Sequence, residues 1–328
     1  MSLPAYLKEG IAEHLNQSSL KSLAAASAEL TAMYKNPLAG RQGISSEAQR
    51  LAYLTVRLPA TFEAVASTLQ HTLKQIPGQT ITSILDLGAG PGTASHAAAA
   101  LLPDMQRAAL VERDSQLISL GKKLTSQAPF QANWIQADLT GYQIEDSFDL
   151  VILSYVLNEL KPEDAMHIVA NAWEKAQVLL IIEPGTPQGF GGIVRYRDWL
   201  LQQQARLLAP CPHHLACPMA SQGDWCHFYA RVERSSEHRR SKQGELGYED
   251  EKFSYIAAGK TPEQLPEARI VRFPEKHSGH LTLTLCQQGQ ILKETISKKQ
   301  GSLYKAAKKS DWGAPWEPGR LRAKPEDN

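Results

Sequence analysis

One run constrains the chain more than any other: Ser83-Ile-Leu-Asp86-Leu-Gly88-Ala-Gly90-Pro-Gly92-Thr93-Ala. Three glycines at alternate positions, between an apolar segment and an Ala-rich one, let a backbone turn sharply where a Cβ would obstruct it. Short apolar runs alternate with helical periodicity on both sides. Residues 81–86, 108–112, 133–138, 148–154 and 178–183 read as strands, and 93–102, 116–126 and 162–175 as helices. Strands this apolar belong in a parallel sheet covered on both faces. The predicted class is α/β, a doubly wound Rossmann-like sheet. At 328 residues and 42% hydrophobic, the chain can bury a core of that size.

The glycine spacing also bears on the ligand. A dinucleotide fingerprint is G-x-G-x-x-G, whereas this loop is G-x-G-x-G, with Thr93 at the last position of that pattern and Asp86 opening it. Glu112, at the predicted end of the second strand, is placed for ribose hydroxyls. Asp138, at the predicted end of the third, is placed for an adenine amino group. Carboxylates on one sheet edge suit a nucleoside, and the arrangement resembles the S-adenosylmethionine site of class I methyltransferases, which implies a donor held by Asp86, Gly88, Gly90, Gly92, Glu112 and Asp138. A nicotinamide or flavin site and a ligand-free tight turn are the other readings. On the acceptor side, Ser154, Asn158 and Glu159 are candidates, without the Asn/Asp-Pro-Pro-aromatic tetrad of many amino-methyltransferases. Methyl transfer depends mainly on positioning, so no catalytic residue is assigned.

All four cysteines enter a second pattern. Cys211, Cys217 and Cys226 are separated by five and eight residues, and 59 more separate Cys226 from Cys286. Structural zinc sites favour shorter C-x2–4-C pairs; wide gaps with Cys-Pro steps suit four thiolates on an iron–sulfur cluster. Zinc, recruiting His213, His214 or His227, is the alternative, and ordinary buried thiols the third reading. If all four are ligands, none remains to attack a pyrimidine ring.

Residues 1–80 read as helical, with one helix over Leu20, Leu23 and Leu30 and another from Ser45-Ser46 that Pro59 breaks or kinks. Arg50, Tyr53 and Arg57 could reach a ligand there. A helix is predicted over 193–208, a returning strand over 253–257, and short strands over 269–273, 281–286 and 291–296. The end, from Trp312 to Trp316 and beyond, reads as an extended arm. The domains so drawn are 1–80, 81–210, 211–268 and 269–328. Net charge is +1, yet from Arg269 onward twelve Lys and Arg face six Asp and Glu. Arg231, Arg234, Arg239, Arg240, Lys242, Lys298, Lys299, Lys305, Lys308 and Lys309 could grip RNA phosphates, with neighbouring aromatics stacking on bases. No apolar run nears the roughly 20 residues of a membrane span, and no secretory signal opens the chain. A cytoplasmic monomer is expected.

Taken together, the motifs resemble the methyltransferase-like proteins of the mitochondrial small ribosomal subunit and their bacterial relatives. The residues that carry this are Tyr53-Leu-Thr-Val-Arg57-Leu-Pro59-Ala-Thr61, the glycine loop, Tyr155-Val-Leu-Asn158-Glu-Leu and Ile182-Glu183-Pro-Gly185. The cysteine segment, Arg231, Tyr248 to Tyr255 and Trp312-Gly313 continue the series in the same order. The resemblance implies a class I methyltransferase fold with a small C-terminal β module, association with small-subunit ribosomal RNA during assembly, and a 4Fe–4S site at Cys211, Cys217, Cys226 and Cys286. It leaves two readings, an RNA methyltransferase and a non-catalytic assembly factor that keeps the fold. A methyltransferase acting on a small molecule or a protein is a third.

Overall fold

The computed structural model describes residues 2–15, 46–233 and 248–319, with 25, 26 and 29. It forms two compact units, one of Met1–Gln70, Gly78–Glu183 and Ala230–Glu251, the other of His71–Pro77, Pro184–Tyr229 and Lys252–Asn328.

In the first unit, helices α1 (Ala5–Leu15), α2 (Glu47–Ala52) and α3 (Leu58–Leu73) precede an alternation of strands and helices. This runs β1 (Ser83–Leu87), α4 (Thr93–Ala99), β2 (Arg107–Glu112), α5 (Ser115–Leu124), β3 (Gln131–Gln136), β4 (Phe148–Ser154), α6 (Pro162–Lys175) and β5 (Ala176–Pro184). The five strands are parallel in the order β3-β2-β1-β4-β5. Every residue of β1 is buried, as a strand covered on both faces must be. Ile84, Leu85, Leu110, Val151, Ile152 and Leu180 form the centre of this core at 0% exposure. Local signals set the helix starts. Ser46 and Gln49 make a reciprocal capping box at α2, and Asp114 caps α5 through the Gln116 and Leu117 amides.

Pro59 does not interrupt the helix as expected. A π turn over Tyr53–Arg57, in which the Leu58 amide donates to the Tyr53 carbonyl, carries α2 into α3. Proline lacks an amide and clashes with the carbonyl four residues before it; the wider turn immediately upstream accommodates that. Leu20, Leu23 and Leu30 of the next predicted helix lie outside the described residues, and Ala25, Ala26 and Glu29 within it are helical.

The second unit holds α7 (Pro187–Gln202), β6 (Arg206–Ala209) and α8 (Pro218–Ser221). β7 (Phe228–Glu233) pairs with β8 (Tyr248–Gly259), which also runs antiparallel to β6. The helix predicted over 193–208 is therefore displaced. Thr186 caps α7 and Pro187 opens it, while the apolar Leu207-Leu208-Ala209 goes into β6, an ambiguity that short apolar runs carry. β9 (Ala268–Ile270), β10 (Glu275–Lys276), β11 (His280–Gln287) and β12 (Gln290–Ser297) follow, then α9 (Gly301–Lys309) and β13 (Pro315–Trp316). These strands make the antiparallel C-terminal module, β10-β11-β9-β13 with β12 on β11. Gln288 and Gly289 both take positive φ, +46° and +77°, the two-residue turn that matches strand twist. The extended arm expected from Trp312 is corrected over its first part, since α9 packs Leu303 and Ala307 onto the module's core and Trp316, 3% exposed, pairs with Ala268; the rest of it, from 320 on, lies outside the described residues. Burying one indole removes enough apolar surface to favour docking over a solvated arm. No described helix is long and apolar enough to cross a membrane.

Candidate functional site

Strand order reverses between β1 and β4, and ligands of open α/β sheets bind beyond the strand ends at such a point. A cavity lies there. It is lined by Ala137, Asp138 and Leu139 beyond β3, Glu112 and Arg113 at β2, Gly88 to Gly90 after β1, and Ser154 to Val156 at β4. The π turn brings Tyr53 and Arg57 to it, and α3 adds Thr61. Gly88 has φ +71°, and a Cβ built there would stand 2.5 Å from Val156 Cγ2. Only glycine suits that position. Glu112 is tied to the loop. Its Oε2 accepts the Gly90 amide at 2.9 Å, and Oε1 accepts the amides of Arg113 and Asp114 at 2.8 and 2.9 Å. A carboxylate offers about four acceptor sites, so one remains for a ligand hydroxyl.

Asp86 and Gly92 are not among the residues lining the cavity. Asp86 is fully buried, its Oδ2 accepting the Ser95 amide and hydroxyl at 3.2 and 2.9 Å while Oδ1 has no partner. It braces the loop against α4. Asp138 lies two residues past the end of β3, on the rim. Its Oδ1 accepts the Thr140 amide and hydroxyl at 2.9 and 2.7 Å, which holds the carboxyl below its ordinary range. On the acceptor side, Ser154 and Glu159 line the cavity, and Asn158 has its buried Oδ1 unpartnered. Sequence reasoning missed Tyr155 as a lining residue. It is buried, has φ +58°, and its ring lies 5.7 Å from the Arg57 guanidinium. A bulky residue in the left-handed region is strained, and such strain concentrates at functional sites.

Three carboxyls near these strand ends, buried Asp86 and Glu183 and half-buried Glu159, are raised, each chiefly by desolvation: Asp86 to about 7, Glu159 to about 7 and Glu183 to about 8. The Leu157 amide donates to Glu183 Oε1 at 3.1 Å, and Oε2 is unpartnered. Raised folded values mean the folded state holds more protons than the unfolded one from about pH 4 up to these values, so stability falls as pH rises through that window. Burial lowers His71 to about 3 and His96 to about 4, which acts in the opposite sense up to about pH 6.5, so the melting temperature is expected to fall between pH 6.5 and 8, and Glu183→Gln to flatten the fall. Melting curves across that range check it.

The four cysteines are free thiols around one apolar cavity in the second unit. Cys211 follows β6, Cys217 caps α8, Cys226 precedes β7, and Cys286 lies on β11 opposite Arg269. Burial pushes the Cys286 thiol up to about 12 and holds Cys226 well above the ordinary thiol value. Two arginines line the same cavity at 2% and 1% exposure. Arg197 donates through Nε to Cys211 Sγ at 3.4 Å, and also to Asp198 and the Leu215 carbonyl. Arg269 donates to the carbonyls of Pro210 and Gly313, and its Nη2 is unpartnered. Buried cations call for negative charge nearby. Among the described residues, no three His, Cys, Asp or Glu side chains converge closely enough to hold one metal ion. His213 Nε2 lies 3.4 Å from Cys286 Sγ, whereas His214 accepts the Leu207 amide and His227 packs between Trp225 and Trp312.

Of the basic candidates, Arg231 is paired with Asp250 at 2.9 Å and lies over the Tyr248 ring. Lys298, Lys299, Lys305, Lys308 and Lys309 are exposed on α9 and the 3-10 turn before it. Arg234, Arg239, Arg240 and Lys242 lie outside the described residues.

The sequence model of the family described as mitochondrial small ribosomal subunit Rsm22 matches residues 47–317. The human mitochondrial ribosome assembly protein METTL17 is 25% identical over 290 residues, which cover 82% of this chain and 62% of that protein. The Rsm22-cox11 tandem proteins 1 and 2 of Schizosaccharomyces pombe are each 26% identical over 330 residues, 82% of this chain and 43% of theirs. The chain thus spans less than two thirds of the length of these relatives. A SAM-dependent methyltransferase of Leishmania major aligns at a TM-score of 0.43 and 12% identity, over 69% of this chain and 82% of that one.

Proposed function

The chain belongs to the mitochondrial small ribosomal subunit Rsm22 family, and we propose from that premise that it binds S-adenosylmethionine and acts on small-subunit ribosomal RNA during assembly, with a 4Fe–4S cluster on its four cysteines. The observation that carries the first half is the glycine cradle. At Gly88 a Cβ is excluded, and the Glu112 carboxylate is fixed by three amides beside it with one acceptor site left. That combination fits the ribose of a nucleoside, and Asp138 on the rim fits an exocyclic amine. When bound, the donor supplies an electrophilic methyl group on a sulfonium. The protein orients it at the β4 end, where Ser154 and Glu159 line the acceptor side. Glu159, held near neutrality by burial, can take a proton from an attacking amine.

The cluster reading is supported by the donor set. Four thiols and two buried guanidiniums share one cavity, and the ligated thiolates would supply negative charge to Arg269, whose Nη2 is unpartnered, and add to that of Asp198 beside Arg197. The wide, irregular gaps between the four cysteines favour a cluster over the short C-x2–4-C pairs of structural zinc.

Calorimetry with S-adenosylmethionine tests the donor site, and a methyl census of small-subunit RNA from a deletion strain tests transfer. Binding with a missing methyl group is the expected result. Binding with every modification intact selects the non-catalytic assembly factor, and no binding removes the donor reading. For the RNA, replacing Lys305, Lys308 and Lys309 by alanine is expected to weaken binding for all sequences. It should also lower the log–log salt slope by about 2, at roughly 0.7 per phosphate contact; a salt-titrated binding assay reads both.

A further inference from the structure

The cavity in the first unit follows the strand order, from Asp138 beyond β3, past Glu112 at β2 and the glycine loop after β1, to Tyr155 at β4. A donor lying along it with ribose at Glu112 and base at Asp138 has its amino-acid end at β4. That end carries an α-carboxylate, and a carboxylate entering a half-buried site needs a cation. Two arginines line the cavity, Arg113 on the β2 side and Arg57 at the β4 end. Arg57 is 17% exposed, and its Nη1 and Nη2 form a fork on the two oxygens of Glu251, each at 3.3 Å. Charge-assisted bonds of this kind normally measure 2.7–2.9 Å, so the pair is loose. The π turn aims Arg57 here together with Tyr53, and the guanidinium lies over the Tyr155 ring.

Building on the donor reading above, we infer that Arg57 is a specificity-determining residue that receives the α-carboxylate of the donor's amino-acid end, with Glu251 holding its guanidinium in a carboxylate-binding pose beforehand. The planar fork that grips the Glu251 carboxylate has the geometry to accept a second one. A ligand carboxylate then competes with Glu251 for the same donors. Selectivity for donors and products that keep the amino-acid tail follows from this, because a truncated nucleoside leaves the arginine on Glu251.

The test is calorimetry with two probes, S-adenosylhomocysteine, which keeps the tail, and 5′-methylthioadenosine, which lacks it. Arg57→Met is expected to lower affinity for the first roughly ten- to hundred-fold, the range for losing a hydrogen-bonded charge partner, and to leave the second within about twofold. Arg57→Lys should recover part of the loss, since a point charge replaces the fork. Glu251→Gln is the second variant, independent of whether Arg57→Met folds. It should raise affinity for S-adenosylhomocysteine and leave 5′-methylthioadenosine unchanged. Equal losses for both probes in Arg57→Met, or no change in their ratio in either variant, overturn the inference while the donor reading stands. If the unaltered protein binds neither probe, the donor reading itself has failed and the inference goes with it.

Discussion

Purified without air, the protein is expected to be brown and to carry about four iron and four sulfide per chain, and Cys226→Ser is expected to be colourless. Desolvation holds the Cys226 thiol well above its ordinary value, with Cys211, Cys217 and Cys286 around the same cavity, so its sulfur belongs to the shared site rather than to solvent. Ligation releases the thiol protons, and the metal's binding free energy becomes folding free energy for the segments it joins. Those segments are far apart in sequence, Cys211 after β6, Cys217 at α8, Cys226 before β7 and Cys286 on β11. Losing the cluster should therefore loosen the second unit, whose buried Arg197 and Arg269 would be left facing uncharged thiols. Cys217→Ser is expected to speed proteolysis of the C-terminal half much more than it changes affinity for S-adenosylmethionine. Iron and sulfide assays, limited proteolysis and calorimetry decide the matter. A colourless native protein with one zinc per chain would overturn the cluster reading.

The second large effect is expected at Gly88. Gly88→Ala puts a Cβ 2.5 Å from Val156 Cγ2 and 2.9 Å from its Cβ. It also asks an L-residue to hold φ +71°, which costs about 1–2 kcal/mol by itself. The loop must shift, and Glu112, bound to the Gly90 amide, shifts with it. Affinity for S-adenosylmethionine should fall about a hundredfold or more, while the melting temperature falls by only a few degrees. Val156→Ala in the same chain removes the nearest obstructing atom and should restore part of the affinity. Calorimetry of the single and double variants measures the coupling. Unchanged binding in Gly88→Ala would mean that the cradle does not hold the donor.

Much of the fold was legible because apolar periodicity and helix caps are local. The strand at 148–154 and the helix at 162–175 coincide with β4 and α6, since each is a long patterned run bounded by clear signals. The strands predicted at 281–286 and 291–296 likewise fall within β11 and β12. Where the reading failed, the deciding partner was distant. Leu207-Leu208-Ala209 became strand because β8 supplies a neighbour, and Trp316 docked because β9 and the C-terminal core were there to receive it.

The order of strands, glycines and carboxylates in the chain determined by itself that a glycine loop and carboxylates would gather at one sheet edge, because backbone conformation and side-chain alternation are set by near neighbours. Only the tertiary structure decided what stands at that edge. It turned Asp86 inward onto Ser95, spent three of Glu112's acceptor sites on backbone amides, and swung Arg57 in through a π turn. It also gathered four thiols and two arginines around one cavity. Those outcomes depend on which buried groups find partners across the fold, and burial is a property of the folded whole.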